Sequence, residues 1–254
     1  MEWLSYFRDV YRVMPFVRST YERAACVFVG SKYTLSGLSG RTKQRAVYMP
    51  ENGIDASRFN AEGRMPPSRI KPFRILFVGR LVPYKGADLV VEAFASSRLL
   101  RCRAEIVVVG DGPQRRQLQV LAAKREVADR VTFVGRLPQP ELPRYFREAS
   151  IFAFPSLREF GGGVVMEAMA CGLPCIVLDH GGPSELVSPD TGRTIRLASR
   201  KRMLNCVREH IEELCQSSVL LDSLSEAGVQ RCKRLYRWEV KADRIVECYR
   251  RIVS

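Results

Sequence analysis

Histidine is scarce in this chain of 254 residues, and its cysteines are not clustered. There are two histidines, and none of the eight cysteines forms a C-x-x-C pair. Zinc sites and thioredoxin-type motifs rely on such pairs or on several histidines, so both are disfavoured. The glycine fingerprint G-x-G-x-x-G is also absent from the sequence, which argues against an NAD-type dehydrogenase.

Long uncharged runs are lacking as well. The longest weakly charged stretch, Phe160–Leu178, contains Glu167 and Pro174, which make it a poor membrane-spanning helix. The N-terminus carries charges every few residues and has no small-residue cleavage site, so it is not predicted to be a signal peptide. Several cysteines lie in apolar runs, as buried reduced thiols do, and this pattern favours a cytoplasmic protein.

Positive charge is what the sequence has in excess. Forty-one lysines and arginines against 27 acidic residues give a net charge of +14, which favours an anionic partner such as a nucleotide, a phosphorylated lipid or a membrane surface. The excess is spread along the chain, without the basic block typical of a nucleic-acid-binding arm, so no nucleic-acid partner is expected. Solubility and weak membrane attraction remain an alternative explanation of this charge.

The first 68 residues are predicted to form short elements. Apolar residues of Glu2–Arg23 recur at three- and four-residue steps, which indicates an amphipathic helix with a kink at Pro15. Its arginines suit contact with anionic lipid, and packing on a neighbouring sheet is the favoured alternative. A strand at Cys26–Gly30 and a helix from Lys32 to about Leu38 follow. Residues 60–68, with proline and glycine, are predicted to be a linker.

From residue 73 onward, short β-branched or aromatic runs alternate with helical stretches. The predicted strands are Arg74–Val78, Glu105–Val109, Val131–Val134, Ile151–Phe154 and Cys175–Leu178. The predicted helices between them are Asp88–Ser97, Gln114–Lys124, Glu141–Glu148 and Val164–Cys171. This alternation predicts an α/β fold, a Rossmann-like parallel sheet with helices on both faces. Helices fill residues 198–254 and end with Trp238–Val253.

The loop that follows the first regular strand carries two cations. It reads G-R-L-V-P-Y-K-G, begins at Gly79, and places Arg80 and Lys85 five residues apart. Ligands of open α/β sheets bind beyond the carboxyl ends of the strands, so both cations can converge there on a diphosphate. A solvated turn is the alternative for this loop taken alone.

Two further loops are weaker signals by themselves. The loop G-D-G-P contains Gly110 and Gly112, which permit a tight turn and close approach of the backbone. The segment 179–187 has two glycines before a short helix that Ser184 is expected to cap. An ordinary strand-to-helix turn explains either loop equally well.

The segment R-E-F-G-G-G-V-V-M-E-A-M-A-C-G, residues 158–172, is the sharpest signal. Glycines 161–163 precede a helix whose first amides and positive dipole end suit a phosphate. Glu159 and Glu167 lie on either side of the helix start, and two helical turns between them exceed the carboxylate spacing of a glycosidase. They are therefore expected to hold different parts of one ligand, ribose hydroxyls for Glu167 and a sugar for Glu159.

In order and spacing, the motifs resemble glycosyltransferase family 4, whose members have the GT-B fold. The matching motifs are V-G-R-L…K-G, V-G-D-G-P, V-T-F-V-G-R-L, F-P-S…E-x7-E-A-M-A-C-G-L-P and G-G-P-S-E-L-V. E-N-G-I-D…R-F precedes them and W-E…Y follows, so the resemblance extends from about residue 45 to the end of the chain. It implies transfer of a sugar from a nucleoside-diphosphate sugar, without a metal ion or other cofactor and with retention of configuration.

The resemblance also implies roles for individual residues. Arg80 and Lys85 hold the donor diphosphate, Glu167 holds the ribose, and Glu159 contacts the sugar; Glu159, Arg80 and Lys85 are the predicted catalytic residues. The predicted donor-binding residues in full are Gly79, Arg80, Lys85, Gly110, Gly112, Arg136, Leu137, Glu159, Phe160, Gly161, Gly162, Gly163 and Glu167. No D-x-D motif is present to hold a metal, so cations of the protein are expected to neutralise the leaving group.

The resemblance divides the chain into three parts. Residues 1–66 correspond to a remnant of the N-terminal acceptor domain and a linker, 67–235 to the donor domain, and 236–254 to a crossover helix. The acceptor is expected to be a saccharide or a lipid-linked saccharide, in polysaccharide or glycolipid synthesis at the cytoplasmic membrane face. The alternative is a non-catalytic nucleotide-sugar-binding module, or a subunit that needs a separate N-terminal half. The apolar stripes of the first and last helices are expected to be exposed or paired, which favours oligomers.

Overall fold

The computed structural model describes residues 15–38, 40–159 and 161–253. The chain forms two compact units: Met1–Glu51 together with Lys241–Ser254, and Asn52–Val240. The units therefore divide at residues 51/52 and 240/241, whereas the sequence suggested divisions at 66/67 and 235/236.

The larger unit is built on a six-stranded sheet in which every neighbouring pair is parallel. Its strands are β3 (Phe73–Val78), β4 (Ala104–Val109), β5 (Val131–Gly135), β6 (Ile151–Phe154), β7 (Cys175–Leu178) and β8 (Gly192–Ile195). Their spatial order is β5-β4-β3-β6-β7-β8, so the order reverses between β3 and β6. All residues of β6 and β7 are buried, as expected for central strands covered on both faces.

Helices cover the sheet of the larger unit. They are α4 (Ala87–Ala95), α5 (Arg98–Arg103), α6 (Arg115–Lys124), α7 (Leu142–Glu148), α8 (Gly163–Ala170), α9 (Gly182–Leu186), α10 (Arg200–Gln216) and α11 (Ser218–Leu235). The predicted α/β fold with a Rossmann-like parallel sheet is confirmed, and the five predicted strands and the four helices between them are present within two residues. Helix α5 and strand β8 were not predicted. Strand β8 reads G-R-T-I and has no apolar run that would have indicated a strand.

Residues 60–68, which their prolines and glycine suggested as a linker, are anchored to the larger unit. Arg64 Nη2 donates a hydrogen bond of 2.6 Å to the carbonyl of Ala149. Ser68 Oγ donates to Asp222 Oδ2, also at 2.6 Å. Both partners lie far along the chain, so local composition gave no sign of these bonds.

The smaller unit contains five short elements and most of the last helix. The elements are α1 (Pro15–Arg23), β1 (Val27–Val29), α2 (Lys32–Ser36), α3 (Gly40–Gln44) and β2 (Ala46–Tyr48), and the last helix is α12 (Trp238–Val253). Strands β1 and β2 pair in parallel. Lys241, on α12, is buried and its Nζ donates to the carbonyls of Pro50 and Glu51. Residues 2–14 of the predicted first helix lie outside the described residues.

Exposed apolar side chains are frequent in the smaller unit. On α12, Val246, Tyr249 and Ile252 are exposed, and on α1 so are Phe16 and Tyr21. The expected exposure holds in part: Tyr21, Val246 and Tyr249 of the predicted stripes are exposed, whereas Val17 is buried. Val240 and Ile245 are half-buried. Within the described part of the chain, no helix combines the length and the apolar composition needed to cross a membrane.

Candidate functional site

Backbone hydrogen bonds join the loops that follow β3 and β4. The amide of Gly79 donates to the carbonyl of Val109 at 3.0 Å, and the amide of Leu81 donates to the carbonyl of Asp111 at 2.9 Å. Gly110 has a φ of 136°, and a Cβ atom there would lie 1.9 Å from the carbonyl oxygen of Gly79. Only glycine fits this approach, so the predicted role of Gly110 in a close turn is explained by its packing.

A cleft of about 410 Å³ opens beyond the carboxyl ends of β3, β4 and β5. Its lining includes six of the predicted donor-binding residues, which are Gly79, Arg80, Gly110, Gly112, Arg136 and Leu137. Arg80 is exposed, and no ion pair joins it to a described residue, whereas the neighbouring Arg115 is paired with Asp111 at 3.0 Å. Arg80 is therefore a cation at the cleft whose charge is available to an anionic ligand.

Lys85 and Glu159 meet at the point where the strand order reverses. Lys85 follows β3 and Glu159 follows β6, and their side chains form an ion pair with 16% and 20% of each exposed. The ammonium group also lies 5.2 Å from the ring centroid of Phe154. A hydrogen bond of 2.7 Å from the amide of Leu157 to the carbonyl of Tyr84 ties the two loops together. The structure thus brings two predicted catalytic residues into contact, across 74 positions of sequence.

Helix α8 begins at the glycine run. Gly162 precedes the helix with a left-handed φ of 61°, and a Cβ atom there would lie 2.7 Å from Leu186 Cδ1. The carbonyl of Gly162 accepts the amides of Val165 and Met166, at 2.9 and 3.2 Å. The first amides of the helix have no intrahelical acceptor, and the helix dipole adds partial positive charge there. Phe160, also predicted to contact the donor, lies outside the described residues.

Glu167 lies one turn inside α8 and is partly buried. Burial raises the pKa of its carboxyl group to about 7. Gln139 Nε2 donates a hydrogen bond of 3.4 Å to Glu167 Oε1, which lowers that pKa by a smaller amount. Because Gln139 lies two residues after Leu137, this contact connects Glu167 with the segment that lines the cleft. Glu167 lies in α8, whereas Glu159 precedes that helix. The distance between the two carboxylates that helix geometry predicts therefore does not apply.

The candidate residues therefore fall into two groups. Gly79, Arg80, Gly110, Gly112, Arg136 and Leu137 line the cleft, while Lys85, Glu159 and the glycines 161–163 lie outside its lining. The loop 79–86 connects both groups through its backbone. Tyr84, Gln139 and Phe154 were not predicted to contribute, although Tyr84 and Phe154 lie within the quoted motifs.

One remaining expectation concerns Ser184, in the second glycine loop. Ser184 was expected to cap α9, but its hydroxyl donates to the carbonyl of Gly181 at 2.9 Å, and no side chain caps that helix. The expectation was wrong because Ser184 lies inside the helix, which begins at Gly182. Among the described residues, no group of three or more His, Cys, Asp or Glu side chains is arranged to hold a metal ion.

The strand order and the glycine-lined cleft define the class of the larger unit, an α/β domain of the Rossmann type. The chain matches the family model of glycosyl transferases group 1 over residues 64–227, and it belongs to this family. The family resemblance drawn from the motifs is thus confirmed at the level of group 1 glycosyltransferases.

More than nine tenths of the chain can be aligned with curated relatives and with solved structures. It is 30% identical over 259 residues to a GDP-mannose-dependent alpha-(1-6)-phosphatidylinositol monomannoside mannosyltransferase of Mycobacterium tuberculosis, with 94% of this chain and 66% of that protein covered. It is 29% identical to a subunit of the phosphatidylinositol N-acetylglucosaminyltransferase of Arabidopsis thaliana, with 94% and 53% covered. Sucrose-phosphate synthase from Thermosynechococcus elongatus superposes with a TM-score of 0.72 at 27% identity, covering 92% and 60%. The chain thus spans about half to two thirds of the length of these relatives.

Proposed function

We propose that this chain carries the donor site of a family 4 glycosyltransferase, which moves a sugar from a nucleoside-diphosphate sugar to a hydroxyl group. The observation that carries the proposal is the meeting of the loops after β3 and β6, with Lys85 on Glu159 and the exposed Arg80 in the adjoining cleft. Ligands of doubly wound sheets bind where the strand order reverses. Arginine and lysine side chains and the open amides of a glycine-led helix are groups that bind phosphate.

The donor is assigned to the site part by part. The diphosphate binds Arg80, Lys85 and the first amides of α8, and Lys85 exchanges its bond with Glu159 for a phosphate oxygen. The ribose hydroxyls donate to Glu167, whose carboxylate form accepts them. The base lies against the backbone of Arg136 and Leu137, and Glu159 together with Phe160 and Gly161 holds the hydroxyls of the sugar.

The proposed mechanism of sugar transfer depends on the negative charge that develops on the departing diphosphate. As the bond between the anomeric carbon and the diphosphate breaks, negative charge grows on the departing phosphate, and the fixed cations stabilise it. A phosphate oxygen of the donor takes the proton of the acceptor hydroxyl, which attacks from the same face and gives retention of configuration. Neither a protein nucleophile nor a metal ion is needed in this scheme.

The acceptor is proposed to be a saccharide or a lipid-linked saccharide at the cytoplasmic face of a membrane. Two relatives are named for phosphatidylinositol-based acceptors, which supports this class. Helix α12 of the smaller unit carries exposed apolar residues beside Arg250 and Arg251, a combination that suits peripheral contact with anionic lipid. A nucleic-acid partner is not part of the proposal.

Ligand-dependent thermal stability tests the donor site directly. UDP and GDP are each added to the full chain, and one of them is expected to raise the melting temperature. Arg80→Ala should abolish that shift, whereas the matched variant Arg116→Ala, at an exposed arginine on α6, should keep it. A folded wild-type protein that shows no shift with either nucleotide at millimolar concentration would refute the donor site. A panel of nucleotide sugars with lipid and polysaccharide acceptors then identifies the product.

The second candidate is a nucleotide-sugar-binding subunit that becomes active only with a separate N-terminal half. The observation in its favour is the two-stranded sheet of the smaller unit, with Phe28 of β1 39% exposed. Two strands alone are marginally stable in water, and parallel sheets are normally covered on both faces. Sugar transfer by the chain alone would exclude this candidate, and transfer that appears only after co-expression with an N-terminal half would support it.

A further inference from the structure

Asn52 lies against the start of helix α8, although the motif comparison gave it no role. A Cβ atom on Gly163, the first residue of the helix, would lie 3.3 Å from Asn52 Nδ2 and 3.6 Å from its Cγ. The carboxamide therefore rests on the backbone that opens the glycine-led helix. Asn52 and Gly163 both belong to the larger unit.

The segment that carries Asn52 is held firmly in place. The amide of Ile54 donates to the carbonyl of Tyr236 at 2.7 Å, and the amide of Trp238 donates to the carbonyl of Ile54 at 3.2 Å. Ile54 is buried, with 2% of its surface exposed. Gly53 packs so closely under the indole of Trp238 that a Cβ atom would lie 2.5 Å from the ring. Asn52 is exposed and lies next to this fixed segment, so the position of its side chain is set by the packing of Gly53 and Ile54.

We propose that Asn52 is a positioning residue of the donor-phosphate site, which sets the backbone at Gly163 so that the first amides of α8 receive the diphosphate. This inference rests on the proposed function. A neutral carboxamide suits the place because it fills the space beside Gly163 without adding charge. A carboxylate there would itself be attracted to the positive end of the helix and would repel the phosphates.

This difference makes Asn52→Asp a discriminating variant. An aspartate beside a helix N-terminus favours the folded state, so the melting temperature without ligand should stay the same or rise. The dissociation constant for GDP or UDP should rise by about tenfold or more, because the added charge competes with the phosphates. The affinity for guanosine or uridine, which lack phosphates, should stay unchanged. Asn52→Ala should weaken only the diphosphate, by a smaller factor of about threefold.

The matched control is Asn60→Asp, at a neighbouring asparagine whose side chain bonds the carbonyl of Ala56 at 3.0 Å. This control should bind nucleoside diphosphate as the wild type does. Calorimetric titration of all variants decides the matter. Equal affinity of wild type and Asn52→Asp for the diphosphate, or a parallel loss of nucleoside and diphosphate binding, would overturn the role of Asn52 alone. Failure of the wild type to bind any nucleoside diphosphate would overturn the proposed function, and this inference with it.

Discussion

The two compact units bury their strands to different extents. In the larger unit every residue of β6 and β7 is buried, and six parallel strands share one core. In the smaller unit two strands pair, all of β2 is only half-buried, and Phe28 of β1 is exposed. The larger unit therefore has the packing to hold side chains at fixed positions, which a binding site requires. The smaller unit leaves apolar surface uncovered, which is typical of surfaces that contact a partner or lipid.

The largest effect is expected at the cation between β3 and β6. Lys85→Ala should slow sugar transfer by about 10²–10³-fold, about 2.7–4 kcal/mol of barrier, because the leaving diphosphate loses a fixed positive charge. Single-turnover kinetics with saturating donor measures the loss. Lys124→Ala, at an exposed lysine at the end of α6, is the control and should leave the rate unchanged. Equal rates for both variants would show that Lys85 does not bind the leaving diphosphate.

Substituting one glycine in each unit by alanine compares how tightly the two units are packed around it. Gly110→Ala in the larger unit should cost about 3 kcal/mol of unfolding free energy, since its positive φ and the nearby carbonyl of Gly79 exclude a methyl group. Gly40 in the smaller unit has a positive φ of 55°, but a Cβ atom there would have no other atom within 4 Å. Gly40→Ala is therefore expected to lower the unfolding free energy by only about 1 kcal/mol. Urea denaturation measures both. If the two costs were equal, the closeness of the loops after β3 and β4 would not matter for stability.

Glu167 gives a pH-dependent test of the larger unit. Its folded-state pKa of about 7 exceeds the ordinary value of 4.5, so the folded protein binds the proton more tightly. The stability that this proton gives is complete below pH 4.5 and is lost as the pH rises to about 7. Glu167→Gln should therefore be more stable than wild type by about 2–3 kcal/mol at pH 8, and nearly equal to it at pH 4.

Denaturation curves at pH 4, 6 and 8 measure this difference. The exposed Glu141→Gln, three residues before Arg144 on the adjoining segment, serves as the control and should show no comparable rise with pH. The same substitution at residue 167 should weaken donor binding, because an amide accepts hydrogen bonds from ribose less strongly than a carboxylate does. A stability difference independent of pH would contradict the burial of this carboxyl group.

The smallest effect on stability is expected on the exposed stripe of α12. The double variant Val246→Ser and Tyr249→Ser should change the unfolding free energy by less than about 0.5 kcal/mol, since both side chains are exposed. It should reduce self-association or binding to anionic vesicles, measured by sedimentation and flotation. By contrast Leu224→Ala, in the buried face of α11, should cost about 2–5 kcal/mol and leave both associations unchanged. A large loss of stability in the double variant would mean that the stripe is part of a core.

Much of the larger unit could be predicted because its strands are continuous apolar runs separated by helical periods. Parallel strands have their carboxyl ends at one edge, so the loops containing Arg80, Gly110 and Glu159 were expected to lie near each other. The predicted strands β3 to β7 support this reasoning. Strand β8 was not predicted because its pairing with β7, rather than its own hydrophobicity, makes it a strand.

Contacts between distant residues were beyond prediction. The bond from Gln139 to Glu167 depends on how α8 packs beside the cleft, and the bonds of Arg64 and Ser68 depend on α11 and on the turn before β6. Asn52 entered the sequence analysis only within the motif E-N-G-I-D, and its placement beside Gly163 is what suggests a role in the site.

The sequence by itself determined the α/β class, the chemical character of each loop and the family, since local residue types and their spacing carry those properties. Tertiary structure alone decided that Lys85 meets Glu159, that Arg80 remains unpaired beside the cleft among the described residues, and that burial shifts the pKa of Glu167. The physical reason is that charge pairing and desolvation depend on distances across the fold, and sequence separation does not encode those distances.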